Sequence, residues 1–274
     1  MKAPFPTLLL IVLLCTCVRA QKTFPTPVND IVPERTNLDR GALSYARLRE
    51  ADILWQKRTW RVIDVREKIN HPFVNPNRPL IDILLDAAKA EEIQLYSAID
   101  DKFSTPLSAA EKLSISGGMD TIPVVDPDTQ ETYYEVVPRI FNAATVTRYR
   151  VQEIWYVDRN TSRMHVRILG LAPIVDESGE NDEFRIERPL FWVYFPAARP
   201  TLAAAAAYVA ENGSASRSWD DVFQLRLFDS HVIKEENVHD LRIEDYVPDS
   251  RTRLIVGRRM EQERLGRESD LWSH

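Results

Sequence analysis

The fold turns on Arg150–Leu171, RVQEIWYVDRNTSRMHVRILGL. Two runs rich in Val, Ile, Trp and Tyr flank the four residues RNTS. Strand formers on either side of a short polar break predict an antiparallel hairpin, with strands over 150–158 and 163–171. In the second run Met164, Val166 and Ile168 alternate with His165 and Arg167, so one face is apolar and the other polar. Working outward, PLFWVYFP (189–196) is a short unbroken apolar run between prolines. It predicts a third strand buried on both faces.

On the amino-terminal side, Trp60–Val65 alternates and predicts a strand, while the apolar spacing of Tyr45–Arg58 suggests a helix. PLIDILLDAAKAEE, from Pro79, predicts a helix with proline near its first turn and Leu80, Ile81, Leu84, Leu85 and Ala88 on one face. A second short helix starts near Leu107, capped by Ser104 or Thr105. On the carboxyl side, the alanines 203–207 predict a helix opened near Thr201 and stopped at Gly213. SWDDVFQLRLF predicts a helix capped by Ser218; SHVIKEEN and LRIEDYV read as short strands. The last twenty or so residues read as a charged helix, with Arg259, Glu263 and Arg267 at ion-pair spacing. The fold class is therefore α+β: an antiparallel sheet with packed helices.

The chain has 274 residues and opens on a basic Lys2, an apolar stretch over Leu8–Val18 and small residues before Gln21. That pattern predicts a secretory signal over 1–20, cut between Ala20 and Gln21. The stretch is too short to cross a bilayer, and no later segment reaches the required length. Leu14 and Thr16 precede Cys15 and Cys17, where a lipoprotein signal would carry a small residue. These are the chain's 2 cysteines, so the exported form would have no disulfide and no cysteine nucleophile or metal site. Residues 21–40, rich in proline, predict an extended arm, and 41–274 a single α+β domain. Without Lys2 and Arg19 the net charge of −6 becomes −8, which argues against a nucleic-acid partner.

Motifs for chemistry are scarce. There is no Gly-x-Ser-x-Gly, no phosphate loop around Gly117-Gly118, and no zinc spacing among His71, His165, His231, His239 and His274. No cofactor or metal is expected. Asp64 and Glu67 are the candidate carboxylate pair for a periplasmic carbohydrate-active hydrolase; their neighbours Arg61 and Arg66 favour ion pairing instead. Trp60, Val62 and Ile63 are expected to anchor the fold, while Arg61, Asp64, Arg66 and Glu67 form a charged network that positions the strand or meets a neighbour. Trp155, Tyr156 and Trp192 are expected either in the core or at a protein contact.

Five stretches taken together, WRVIDVREKINHPF, EIWYVDRNTSRMHVRILGLAPI, LFWVYFP, SWDDVFQLRLFDSHVIKEENVHDLRIEDY and SDLW, resemble the GldN/PorN family of gliding-motility and type IX secretion proteins of Bacteroidota. The resemblance implies a non-enzymatic periplasmic subunit. It would assemble with a GldK/PorK-type lipoprotein, with further copies of itself and with other secretion components, in a ring at the inner face of the outer membrane.

Overall fold

The computed structural model describes residues 39, 41–125, 132–138, 141–178, 185–208 and 217–271. The expected signal, the cleavage site at Ala20 and Gln21, and nearly all of the arm lie outside them. In chain order the elements are β1 (Ile53–Asp64), α1 (Leu80–Lys89), β2 (Leu95–Tyr96), α2 (Ala109–Ile115), β3 (Met119–Val125), β4 (Thr132–Pro138), β5 (Val146–Asp158) and β6 (Arg163–Ser178). They continue with β7 (Arg185–Pro189), β8 (Trp192–Tyr194), α3 (Phe195–Ala204), β9 (Ala206–Ala207), β10 (Arg217–Ser218), α4 (Trp219–Gln224), β11 (His231–Glu235), α5 (Ile243–Tyr246) and α6 (Ser250–Leu271). An antiparallel sheet with helices packed on it makes the protein α+β.

The expected hairpin is its centre. β5 and β6 pair antiparallel from Asp158–Arg163 to Val146–Val175. Ser162, at φ 52°, closes the loop, and its N–H donates to Asp158 O. The main sheet runs β11-β1-β5-β6-β8-β2, with β7 paired to the far end of β6.

Alternation along these strands sorts side chains to two faces. Ile63, Tyr149, Val151, Leu171 and Val193 turn to one face and pack with α1, α3 and α4 around Phe73, Phe195, Trp219 and Phe223. Phe73 meets Trp219 edge-on at 5.0 Å and Phe223 at 5.8 Å. Each fully buried ring or branched chain there contributes about 1.5–3 kcal/mol. The opposite face carries a smaller cluster of Trp60, Ala172 and Trp192, with Tyr96, Phe103 and Ile233 against it. Gly170 belongs to this packing: a Cβ there would lie 2.6 Å from the Phe103 ring.

Several local expectations give way. Tyr45–Arg58 is not a helix: after a 3-10 turn at Glu50–Asp52, β1 begins at Ile53. Its pairing with β5 from Asp158 onward overrides the ambiguous apolar spacing. Ser108, rather than Ser104 or Thr105, caps α2, in a reciprocal box with Glu111. The strand expected over 189–196 is three residues long, because Phe195-Pro196 starts α3. That helix ends at Ala204, and Ala206–Ala207 instead pair with Arg217–Ser218. The expected stop at Gly213 lies outside the described residues. LRIEDYV holds the single-turn helix α5 rather than a strand, because Asp245 caps the N–H of Arg242. The Ser218 cap stands, boxed with Asp221.

Candidate functional site

The segment from Trp60 to Glu67 leaves the sheet as β1 ends. Trp60 and Val62 are each 5 % exposed and Ile63 is 0 % exposed, so the three anchor the strand from both faces. Arg61, also buried, reaches between elements. Its Nε donates to Ser230 Oγ at 2.9 Å, Nη2 to Ser230 O at 2.9 Å, and Nη1 to Glu261 of α6 at 2.7 Å.

Asp64 accepts from the Arg66 guanidinium and backbone N–H and lies 3.9 Å from Arg148. The Arg66 hydrogen bond is the chief reason its carboxyl lies below the usual range. Glu67 sits on the exposed turn. Partial desolvation against the chain, with Asp229 and Asp64 nearby, pushes its carboxyl up. Neither carboxylate lines any of five surface pockets. Glycoside hydrolysis needs two carboxyls facing one substrate space; here one is tied to a guanidinium and the other lies on an open turn.

Beneath the turn lies a residue that the sequence reading passed over. Asn70 is 0 % exposed; its Nδ2 donates to Asp64 O at 2.8 Å and Asp229 O at 3.0 Å, and its Oδ1 accepts from Asp229 N at 2.9 Å. One amide thus stitches the end of β1 to the loop before β11. Its only mark in the sequence is an Asn just before His-Pro, which reads equally well as a surface turn.

A charged seam joins β1, β5 and β11 to α6. Arg264, 3 % exposed, donates from Nη1 to Thr59 Oγ1 at 2.8 Å and Glu235 Oε1 at 3.0 Å. Lys57 meets the other Glu235 oxygen at 2.7 Å. Arg226 pairs with the buried Glu153 at 2.7 Å, and Glu153 also accepts from Trp155 Nε1. Trp155 is half-buried rather than in the core, with the guanidiniums of Arg264 and Arg226 at 4.7 and 5.5 Å from its ring. Tyr156, buried, stacks on His165 at 5.5 Å, and Trp192, 1 % exposed, meets Phe103 edge-on.

The structure therefore brings Arg61, Trp155 and α6 together at the seam and holds Asp64, Arg66 and Glu67 at the turn. Trp60 and Trp192 lie across the sheet. Most partners at the seam, Glu153, Glu235 and Arg264 among them, are charged residues that sequence spacing assigns to solvent. Among the described residues no group of His, Cys, Asp and Glu could hold a metal, and no helix is long and apolar enough to cross a membrane.

No curated protein matches the sequence closely enough to count as a relative. A family model described as gliding motility associated protein GldN matches residues 48–273, which takes in the sheet, both buried clusters and the seam.

Proposed function

The chain belongs to the GldN family of gliding motility associated proteins, and from that premise we propose that it is a non-enzymatic structural subunit of the type IX secretion and gliding machinery. In this reading residues 1–20 are removed on export between Ala20 and Gln21. The remainder works in the periplasm as an extended arm, 21–40, followed by one domain, 41–274. It reaches the outer membrane through a GldK/PorK-type lipoprotein and associates with further copies of itself in a ring. Nucleic acid has no part in it, and no cofactor is needed.

The family match carries the reading. The geometry supports it: the candidate carboxylates are spread over an ion pair and an open turn, and the sheet is braced by buried ion pairs of the kind that hold a rigid scaffold. Ile99 and Val238 are almost wholly exposed and Leu254, Ile255 and Leu265 about half exposed, apolar area that assembly would cover. Trp155 and its two guanidiniums, at the lip of the seam, are the proposed contact there, with Arg61, Asp64, Arg66 and Glu67 positioning β1. The test is affinity capture of the tagged protein from detergent-solubilised membranes with mass identification of what co-purifies. A lipoprotein recovered in near-stoichiometric amount, with higher oligomers of the bait, is the expected result. A bait that emerges as a lone monomer overturns the reading.

A further inference from the structure

The face of the sheet opposite the main core holds a buried guanidinium with no hydrogen-bond acceptor. Tyr149 and Val151 point to the core at 0 % exposure, so Arg150 and Gln152 point the other way, beside Trp60 and Trp192. Arg150 is 8 % exposed. Among the described residues its guanidinium makes no hydrogen bond and no ion pair, and its Nε is fully shielded without an acceptor. Two further polar atoms on this face are buried and unpartnered, Gln152 Oε1 and Trp60 Nε1, and their residues face each other across β5 and β1.

Arg150 lines a cavity of about 360 Å³ with Trp192, Lys234, Asp101, Asp240 and Arg242. The acids of this cavity are engaged elsewhere. Asp240 pairs with Lys234 at 2.6 Å, Asp101 stands 3.7 Å from the same ammonium, Asp245 accepts from Arg242 N–H, and Asp100 accepts from Ser104 and Lys102 N–H. Burial, then the like charge of Arg242, pulls the Arg150 guanidinium down to about 10 against the attraction of Glu244 and Asp101, so it stays charged at neutral pH. A buried guanidinium left without hydrogen-bond acceptors is costly for a fold to keep.

We propose that this cavity is a socket for a carboxylate carried by a docking protein, with Arg150 holding an Asp or Glu side chain by two parallel N–H···O bonds. A fork-shaped guanidinium suits a planar carboxylate. The lining sets four acids, Asp100, Asp101, Asp240 and Asp245, beside four cations, Lys102, Arg150, Lys234 and Arg242, so it is near neutral and disfavours a phosphate dianion more than a monoanion. The lip says that the acid belongs to a protein. Ile99, on the rim, is 96 % exposed, and Val238, on the turn that supplies Asp240, is 97 % exposed. A free acid leaves both in water, whereas a protein surface covers them. The inference rests on the assembly reading for the existence of a partner, not for its identity.

Two measurements on the purified protein and on membranes test it. At constant ionic strength, excess N-acetyl-aspartate amide should raise the melting temperature of wild type by roughly 5 °C, and inorganic phosphate should not. Arg150→Met should melt higher than wild type without ligand, lose the shift, and recover its membrane partner about tenfold less well. Arg150→Lys, which keeps the charge without the fork, serves if the Met variant does not fold, and should show a reduced shift. A wild type that does not respond to the aspartate probe overturns the socket, and an equal response to phosphate overturns its carboxylate preference. Undiminished partner recovery by either variant overturns the protein-borne acid. Should wild type capture nothing from membranes, the assembly reading falls, while the thermal response still decides whether the socket exists.

Discussion

Arg199 and Asp220 show what single residues hold in place. Each side chain is 7 % exposed, and the two bonds between them, 2.8 and 3.0 Å, tie α3 to α4. Replacing one partner strands a buried charge, so Arg199→Met or Asp220→Leu alone should cost about 3–5 kcal/mol in urea unfolding. The double variant should recover much of that loss, a coupling that a double-mutant cycle reads directly. His231 makes a second case. Burial, then the positive charges of Arg61 and Arg148, lower its affinity for a proton below the ordinary value of 6.5. The native state thus favours the neutral ring, while the unfolded chain takes up a proton as pH falls through about 6.5. Stability is complete above that pH and declines below it, levelling off under the folded value. His231→Asn should flatten the fall in melting temperature between about pH 6.5 and 5; a slope equal to wild type would mean another group is responsible.

At the scale of elements, α6 depends on a close approach. A Cβ on Gly257 would lie 2.6 Å from the carbonyl oxygen of Val232 in β11, whereas one on Gly266 would meet nothing within 4 Å. Both sit in the same helix, where alanine is intrinsically better by about 1 kcal/mol. Gly266→Ala should therefore stabilise by up to that amount, and Gly257→Ala should destabilise by about 1–3 kcal/mol as the helix is pushed off the sheet. Thermal melts of the pair should move in opposite directions. The helix itself was readable from its charged, helix-forming sequence; its seat was not, because a glycine in a polar helix looks like a flaw until its neighbour is seen. The same contrast runs through the chain. The β5–β6 hairpin, α1 and the Ser218 cap rest on local signals, alternation, apolar periodicity and cap chemistry, and these were readable. β1 upstream of Trp60 and the fate of the alanine run depend on distant partners, Asp158 and Arg217–Ser218, and local propensity pointed elsewhere. Of the charged segment Arg61–Glu67, the local Asp64–Arg66 pair was readable from spacing, but Arg61 turns away to Ser230 and Glu261, and Arg150, Asn70 and Arg264 gave no sign: charge and amide groups within a strand, turn or helix read as solvated until the fold buries them.

Across the whole molecule the stabilising forces are unevenly spread. The core around Phe73 and Trp219 is apolar, whereas α6 is held mainly through Arg61–Glu261 and Arg264–Glu235 and leaves Leu254, Ile255 and Leu265 half in water. Native-state hydrogen exchange should show α6 amides opening locally, and faster in ~1 M salt because Glu261 is partly exposed, while β5 and β6 amides exchange only with global unfolding. Uniform protection would contradict this gradient. The sheet order also sets a timetable for folding. β1, near the amino end, lies between β5 and β11, and its bonds reach residues 178 and 205 positions away. Closing loops of that length is slow and yields nothing until both ends meet. The first long strand to be made thus pairs on one side with β5 but waits on the other for β11 in the last third of the chain, and until then that edge stays open to any other strand. A chain delivered amino end first therefore carries β1 with one edge unpaired until β11 and Arg264 arrive.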